Sequence, residues 1–316
     1  MKKNVIALAV AAAMVAPAAM AEVSITGVLQ GELQNLSGDG VVEGMYADHG
    51  GNGKIEFKST EDLGDGMKSI AKFGISTTVS GSPITPRDAY IGLSGNFGTV
   101  LGGKLTGPYK GSTVSWDPFL ETSAQARGGN SIGMSAHHNG YSSNALAYMN
   151  KFGMAKVAAA IIVDEASDGA ADPATTGNHG VALSVNAPVG PVEVAFAYQD
   201  LSDFGTTGTV DNSAMKLGVK YTAGAIGVAF QYEALDIGVD INHMYLNGTY
   251  AAGANTFAAA YGQRDNDGNS TDTYMSLGVI HSFSSKTSAY VAYAAESIET
   301  PAADMSAIAA GLRVAF

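Results

Sequence analysis

Apolar and polar residues alternate one for one along nearly the whole chain. The first such segment sets Val23, Ile25, Leu29 and Leu33 on one face and Ser24, Thr26, Gln30 and Glu32 on the other. Ile55 and Phe57 alternate with Lys54, Glu56 and Lys58, and Ala89, Ile91 and Leu93 with Asp88, Tyr90 and Gly92. The last segment carries Ile308, Ala310, Leu312, Val314 and Phe316 against Ala309, Gly311, Arg313 and Ala315. A period of two belongs to strands whose faces meet different surroundings. No amphipathic helix of useful length competes, so the chain is expected to be all-β.

The connections sort into two kinds. Glu61–Gly66, Gly95–Gly98, Lys151–Gly153, Ala187–Pro191, Ala223–Ala225 and Ser284–Lys286 read as tight turns. Between them fall longer polar stretches, Glu165–Asn178, Ser202–Asn212, Arg264–Asp272 and Ser297–Asp304. Tight turns at one end and longer loops at the other are the asymmetry of a membrane-spanning barrel. Segments of roughly ten residues, the length that crosses a bilayer when tilted, number sixteen. They fall near 23–36, 53–60, 67–79, 87–94, 99–106, 142–150, 154–165, 179–188, 191–201, 212–222, 226–235, 241–251, 255–264, 273–283, 287–297 and 305–316. An even number closes without an edge in the lipid. Asn130–His138 also looks extended; it is expected to prolong the sixth strand or to belong to the long third connection.

The two faces differ as lipid differs from water. A charge on the lipid face costs about 2–4 kcal/mol at the midplane, so the Lys, Glu and Asp of the alternating segments must point inward or sit at the rim. Aromatics such as Tyr198, Phe230, Tyr232, Tyr261, Phe283, Tyr293 and Phe316 fall toward strand ends, where amphipathic rings suit the headgroup level. Composition agrees: 46% hydrophobic but only 15% charged, no Cys and 40 Gly in 316 residues. Without Cys there is no disulfide frame, no thiolate nucleophile and no Cys-ligated zinc. The chain opens with Lys2 and Lys3, an apolar stretch from Val5 to Ala16, Pro17 and the Ala19-Met20-Ala21 cleavage pattern. That is a secretory signal over residues 1–21, leaving the mature barrel at 22–316. Loss of the two lysines takes the net charge from −12 to −14. Such acidity argues against nucleic acid, whose phosphates need a basic stripe.

Specific stretches resemble the Gram-negative general porins. Gly53–Lys68 (GKIEFKSTEDLGDGMK) and Arg87–Lys104 (RDAYIGLSGNFGTVLGGK) look like that family's second-to-third and fourth-to-fifth hairpins. The terminal Gly311–Phe316 (GLRVAF) resembles its last strand, whose final Phe, here Phe316, is read by the barrel-assembly machinery. The resemblance implies a sixteen-stranded antiparallel transmembrane barrel in the outer membrane, embedded in its lipid and assembled as a homotrimer. It also implies passive passage of small hydrophilic solutes and ions, with no cofactor and no enzymatic step.

By the same resemblance the third loop, about 107–140, folds into the barrel and sets acidic groups against a basic wall. Trp116–Glu121 (WDPFLE) is similar to the family's constriction segment and nominates Asp117 and Glu121. Lys54, Arg87, Lys104 and Arg127 are carried over as the basic side. Val28 stands where some members have a first-strand Lys, which weakens the basic wall and favours a weak cation preference. Strict alternation from Val100 would aim Lys104 at lipid. Either a bulge at Gly102-Gly103 turns it inward, or it snorkels to the rim.

Other signals are discounted. Asp265–Asn269 lacks the spacing and closing Glu of a calcium loop. His137-His138 has no partners at metal spacing, and neither a nucleophile elbow nor a phosphate-cradling Gly motif occurs. The competing functions are a substrate-specific outer-membrane channel and a non-transport barrel, either an outer-membrane enzyme or an adhesin.

Overall fold

The computed structural model describes residues 22–39, 43–47, 53–79, 84–128, 130–163, 178–202, 204, 212–299 and 301–316. The expected signal, residues 1–21, and nearly all of the Glu165–Asn178 and Ser202–Asn212 connections lie outside these. The chain forms one antiparallel sheet that closes on itself. Its strands are β1 Glu22–Gly38, β2 in two pieces, Gly44–Ala47 and Gly53–Gly64, β3 Met67–Thr77, β4 Thr85–Gly95, β5 Gly98–Leu105, β6 Ser142–Phe152, β7 Ala155–Val163 and β8 His179–Val189. They continue as β9 Val192–Asp200, β10 Ser213–Ala223, β11 Ile226–Asp236, β12 Asp240–Ala252, β13 Asn255–Asn266, β14 Thr271–Ser282, β15 Thr287–Glu299 and β16 Ala302–Ala315.

The two pieces of β2 pair with the same edge of β1, Lys54 opposite Val28 and Ala47 opposite Leu33. They make one barrel strand, longer than the 53–60 expected, and the barrel has sixteen. Closure is β1 against β16, from Val28–Ala315 to Gly38–Met305. Beyond the ladder, Phe316 and Gly27 exchange both backbone hydrogen bonds, at 3.0 and 3.1 Å. Asn130–His138 is no strand: it belongs to the third loop and ends in a 3₁₀ turn at Ala136–His138.

Alternation holds as the pattern requires. Val23, Ile25, Leu29 and Leu33 of β1 are exposed on the outer face, whereas Gln30, Glu32 and Gln34 are buried inside. A lipid-facing surface carries apolar side chains because the solvent there is hydrocarbon. Four two-residue turns begin with a glycine at φ near +60°, Gly153, Gly190, Gly224 and Gly253. Gly first in a two-residue hairpin turn is the arrangement that matches strand twist. Two connections expected to be long are tight: strands β13 and β14 run on to Asn266 and from Thr271, and β15 and β16 to Glu299 and from Ala302. Arg264 and Asp272 turn into the barrel interior, whereas Ser297, Glu299 and Asp304 are exposed although they belong to strands, so polarity there did not mark a long loop.

The buried core lies inside the barrel. Phe119, Ala124, Ala126, Ile132 and Met134 of the third loop pack with Tyr245, Ala258, Ala260, Tyr274, Ala292 and Ala294 of β12–β15.

Candidate functional site

The third loop leaves β5 at Leu105 and is set against the inner wall by local sequence. Gly107 is extended, Pro108 opens the helix α1 (Pro108–Thr113), and a 3₁₀ turn follows at Val114–Trp116. Proline suits a first helical position because its φ is preset and no N–H is lost. Wall glycines then admit the loop. A side chain on Gly218 of β10 would meet Trp116 at 2.6 Å, and one on Gly278 of β14 would meet Phe119 at 3.0 Å. One on Gly262 of β13 would run into the backbone of Gly133.

Asp117, expected to face the water path, lies beneath the loop at 3% exposure. Its carboxylate accepts the Phe119 N–H at 2.9 Å, the Ala126 N–H at 2.7 Å and the Tyr245 hydroxyl at 3.3 Å. An Asp side chain bonded two residues on is an Asx turn, and Pro118 helps to hold it. Burial pushes its carboxyl up to about 6, against the pull of the two backbone donors. This residue organises the loop.

Glu121 is placed differently. It sits at φ 65°, and its Oε1 is 3.0 Å from Nη2 of Arg87 on β4 and 3.0 Å from Nη2 of Arg127 in the loop. Gln125 Oε1 accepts from the Glu121 N–H and from Arg127 Nε, both at 3.1 Å, while Arg127 Nη1 donates to the His138 carbonyl at 2.7 Å. Arg127 is therefore locked, whereas Glu121 keeps 26% of its side chain accessible. Arg87 reaches inward because the β3–β4 ladder shifts register between Phe73 and Ile75, opposite Pro86–Ala89.

Lys54 does not join this group. It pairs with Glu56 at 3.1 Å, Glu56 with Lys72 of β3 at 2.7 Å, and Lys72 with Asp88 of β4 at 3.1 Å, a wall ladder of alternating charge. Lys104 does join it. Gly103 adopts φ 137°, the β5–β6 ladder slips between Gly103 and Leu105, and the Lys104 ammonium comes within 5.4 Å of the Tyr141 ring centre. Arg87 lies 5.9 Å and Lys110 4.5 Å from the same ring, a cation–π cluster. Burial, helped by the charges of Arg127 and Arg87, lowers the Lys110 ammonium to about 8.

The far side of the loop is tied down by a buried polar group. Glu233 of β11 accepts the Tyr109 hydroxyl at 2.6 Å and both the N–H and hydroxyl of Ser135 at 3.1 Å. His138 Nε2 is 2.8 Å from Lys216 Nζ of β10, and its Nδ1 is 3.4 Å from Glu233. Burial, with Lys216 and Arg127 alongside, lowers this imidazole to about 3 despite Glu233, so it is neutral. Among the described residues no group of three or more His, Asp or Glu could hold a metal ion.

The closed sixteen-stranded barrel agrees with what comparison to known proteins shows. The family model for a Gram-negative porin matches residues 7–300. The chain belongs to the Gram-negative porin family. Major outer membrane protein P.IB of Neisseria gonorrhoeae is 36% identical over 119 residues, 35% of this chain and 34% of that protein. P.IA of Neisseria meningitidis serogroup B is 35% identical over 68 residues, 21% and 17% respectively. The matched stretches span well under half of either relative. Among solved structures, an anion-selective porin from Comamonas acidovorans covers 94% of this chain and 100% of its own at TM-score 0.77 and 19% identity. The trimer form of OmpT from Vibrio cholerae covers 94% and 99% at TM-score 0.69 and 18% identity. At these identities the likeness is one of fold. This porin is an outer-membrane protein of a family of channels, not of enzymes.

Sequence reasoning missed three features of this porin's interior. Lys110 lies inside the loop, where no strand period marked it. Arg313 of β16 was on the polar face, but nothing in the pattern showed that its Nη2 donates to the Leu120 carbonyl at 3.0 Å and its Nε to Gln30 at 2.7 Å. The Glu233, Lys216 and His138 group was invisible because its members come from three separate segments.

Proposed function

We propose that this porin forms a water-filled channel through which small hydrophilic solutes and ions diffuse passively, narrowed by the third loop. The carrying observation is Glu121, held at 3.0 Å by both Arg87 and Arg127 and still partly open to water. Around it the fixed cations outnumber the carboxylates: Arg87, Arg127, Lys104, Lys110 and Arg313 against Glu121, Asp88 and Glu32. Opposite unit charges about 8 Å apart interact by roughly 0.5 kcal/mol at water's dielectric and about 2 at an effective value of 20. Attraction of that size concentrates an ion without trapping it. The narrow section therefore favours anions mildly, in place of the weak cation preference that Val28, standing for a first-strand Lys, suggested. Lys54 and the wall ladder carry little net charge and line the approach. Asp117 acts through the loop's shape.

The biological unit in this reading is a homotrimer in outer-membrane lipid, exported by the signal over residues 1–21 and inserted by the barrel-assembly machinery through Phe316. Single-channel current in a planar bilayer, with a salt gradient for reversal potential, tests it. Closures in groups of three with a reversal potential on the anion side are expected; an inserted protein that passes no current would overturn the channel.

A further inference from the structure

The inner wall of this porin mixes buried polar residues such as Gln30, Glu32, Gln231 and Glu233 with apolar clusters, and the cluster on β12–β15 is covered by the third loop. From β5 to β8 the apolar cluster instead borders open space, with Ser184 and Asn186 of β8 and the Asp88 carboxylate of β4 at its margins. Leu101, Leu105, Ala145, Ala147, Ala160 and Ala182 form one buried apolar cluster. Because so many are alanines, a cavity of about 610 Å³ opens between this wall and Pro108 and Gly111 of α1. At the tight-turn end of the same cavity stand Lys151 and Lys156. They face each other directly across the β6–β7 ladder, and both are exposed. Like charges opposed in a ladder repel. Among the described residues neither lysine has a carboxylate within ion-pair distance.

Neither feature serves free diffusion of hydrated solutes. An apolar wall strips water from a polar solute without replacing its hydrogen bonds, and the lysine couple costs repulsion. One kind of ligand satisfies both. We propose that this cavity is a binding subsite for small amphiphilic anions, with a flat apolar body against Leu101, Ala147 and Met149 and a carboxylate or sulfonate between Lys151 and Lys156. The volume falls in the range of about 300–1,000 Å³ of small-molecule sites, which are lined mainly by apolar groups with a few converging polar ones. The subsite lies on the turn side of α1, apart from Glu121, and its use in transport rests on the channel reading.

The test is calorimetric titration of the detergent-refolded barrel with 2-naphthoate, with acetate and 2-naphthylmethylammonium as probes lacking the apolar body or the negative charge. Naphthoate is expected to bind at one site, at least about tenfold more tightly than either control. Lys151→Gln/Lys156→Gln should weaken it about tenfold by removing the head contact, and Ala147→Leu by a similar factor by filling the cavity. Equal binding of naphthoate and acetate, or unchanged naphthoate affinity in both variants, would overturn the subsite. Conductance in potassium chloride alone is read separately. Current without naphthoate binding removes the subsite and leaves the channel, while binding without current does the reverse.

Discussion

Arg87 and Glu121, 34 residues apart in sequence, meet at 3.0 Å, so a barrel strand and the loop inside the barrel share one ion pair. The pair exists because the bulge on β4 turns Arg87 inward and because Glu121 accepts a left-handed backbone at φ 65°. Arg127 makes the same oxygen a shared acceptor, which fixes the carboxylate between two guanidinium groups.

Glu121→Gln removes the carboxylate that Arg87 and Arg127 share and leaves both cations. At about 8 Å from a passing ion the lost charge is worth roughly 0.5–2 kcal/mol, or about a two- to thirtyfold change in local ion occupancy. Reversal potential in a salt gradient should move further toward anions, with barrel yield unchanged. Arg87→Gln should move it the opposite way.

Loop docking depends on a wall position with no side chain. Gly262→Val places a branched carbon against the Gly133 backbone, and overpacking of that kind costs about 1–3 kcal/mol. The sheet ladders of β13 are untouched, so the strain falls on the loop. Conductance should rise and become noisier while thermal unfolding of the barrel stays within a few degrees of the parent. A narrower, quieter channel would count against a docked loop.

The barrel was legible from the chain because each strand reports its own two faces. Val23, Ile25 and Leu29 against Gln30 and Glu32 is a local signal, and it survives into the structure residue for residue. Lys104 was harder, since its inward turn depends on Gly103 and on the ladder to β6. The loop's interior was hardest. Asp117 and Glu121 share a short motif, yet one is buried under the loop and the other meets two arginines. Backbone donors at Phe119 and Ala126 decide that, and the one-dimensional pattern does not contain them. Lys216, Glu233 and His138 likewise meet only after closure brings β10, β11 and the loop together.

Lys110 makes selectivity respond to pH. Its ammonium, ordinarily at 10.5, is held at about 8 by burial and by the charges of Arg127 and Arg87. A depressed value stabilises the docked loop most above the ordinary value, a contribution lost as pH falls through 8. The charge itself is present at pH 7 and mostly gone at pH 9. Reversal potential should therefore drift toward cations between those values, and Lys110→Met should flatten the drift. A drift unchanged in that variant would assign the titration to another group.

Glu233 anchors the loop from the wall. It is fully buried and accepts from Tyr109 and from both donors of Ser135, with His138 and Lys216 beside it. Truncating one partner of a buried charged network strands the others, which costs about 3–5 kcal/mol. Glu233→Ala therefore leaves the Lys216 ammonium buried beside the neutral His138 and the Tyr109 ring, and releases Tyr109 of α1 and Ser135 at the start of the 3₁₀ turn from the wall together. The sheet has its own ladders, β10 to β11 and β11 to β12, so the cost appears as undocking of residues 107–140 rather than loss of the barrel. Limited proteolysis of the refolded protein should cut inside that segment in Glu233→Ala and leave the parent intact, while both keep the same strand content by circular dichroism. The double variant Glu233→Ala/Lys216→Met, which removes the stranded charge as well, should recover part of the protection. Equal cutting of single and double variants would mean that the lost hydrogen bonds, not the buried ammonium, open the loop.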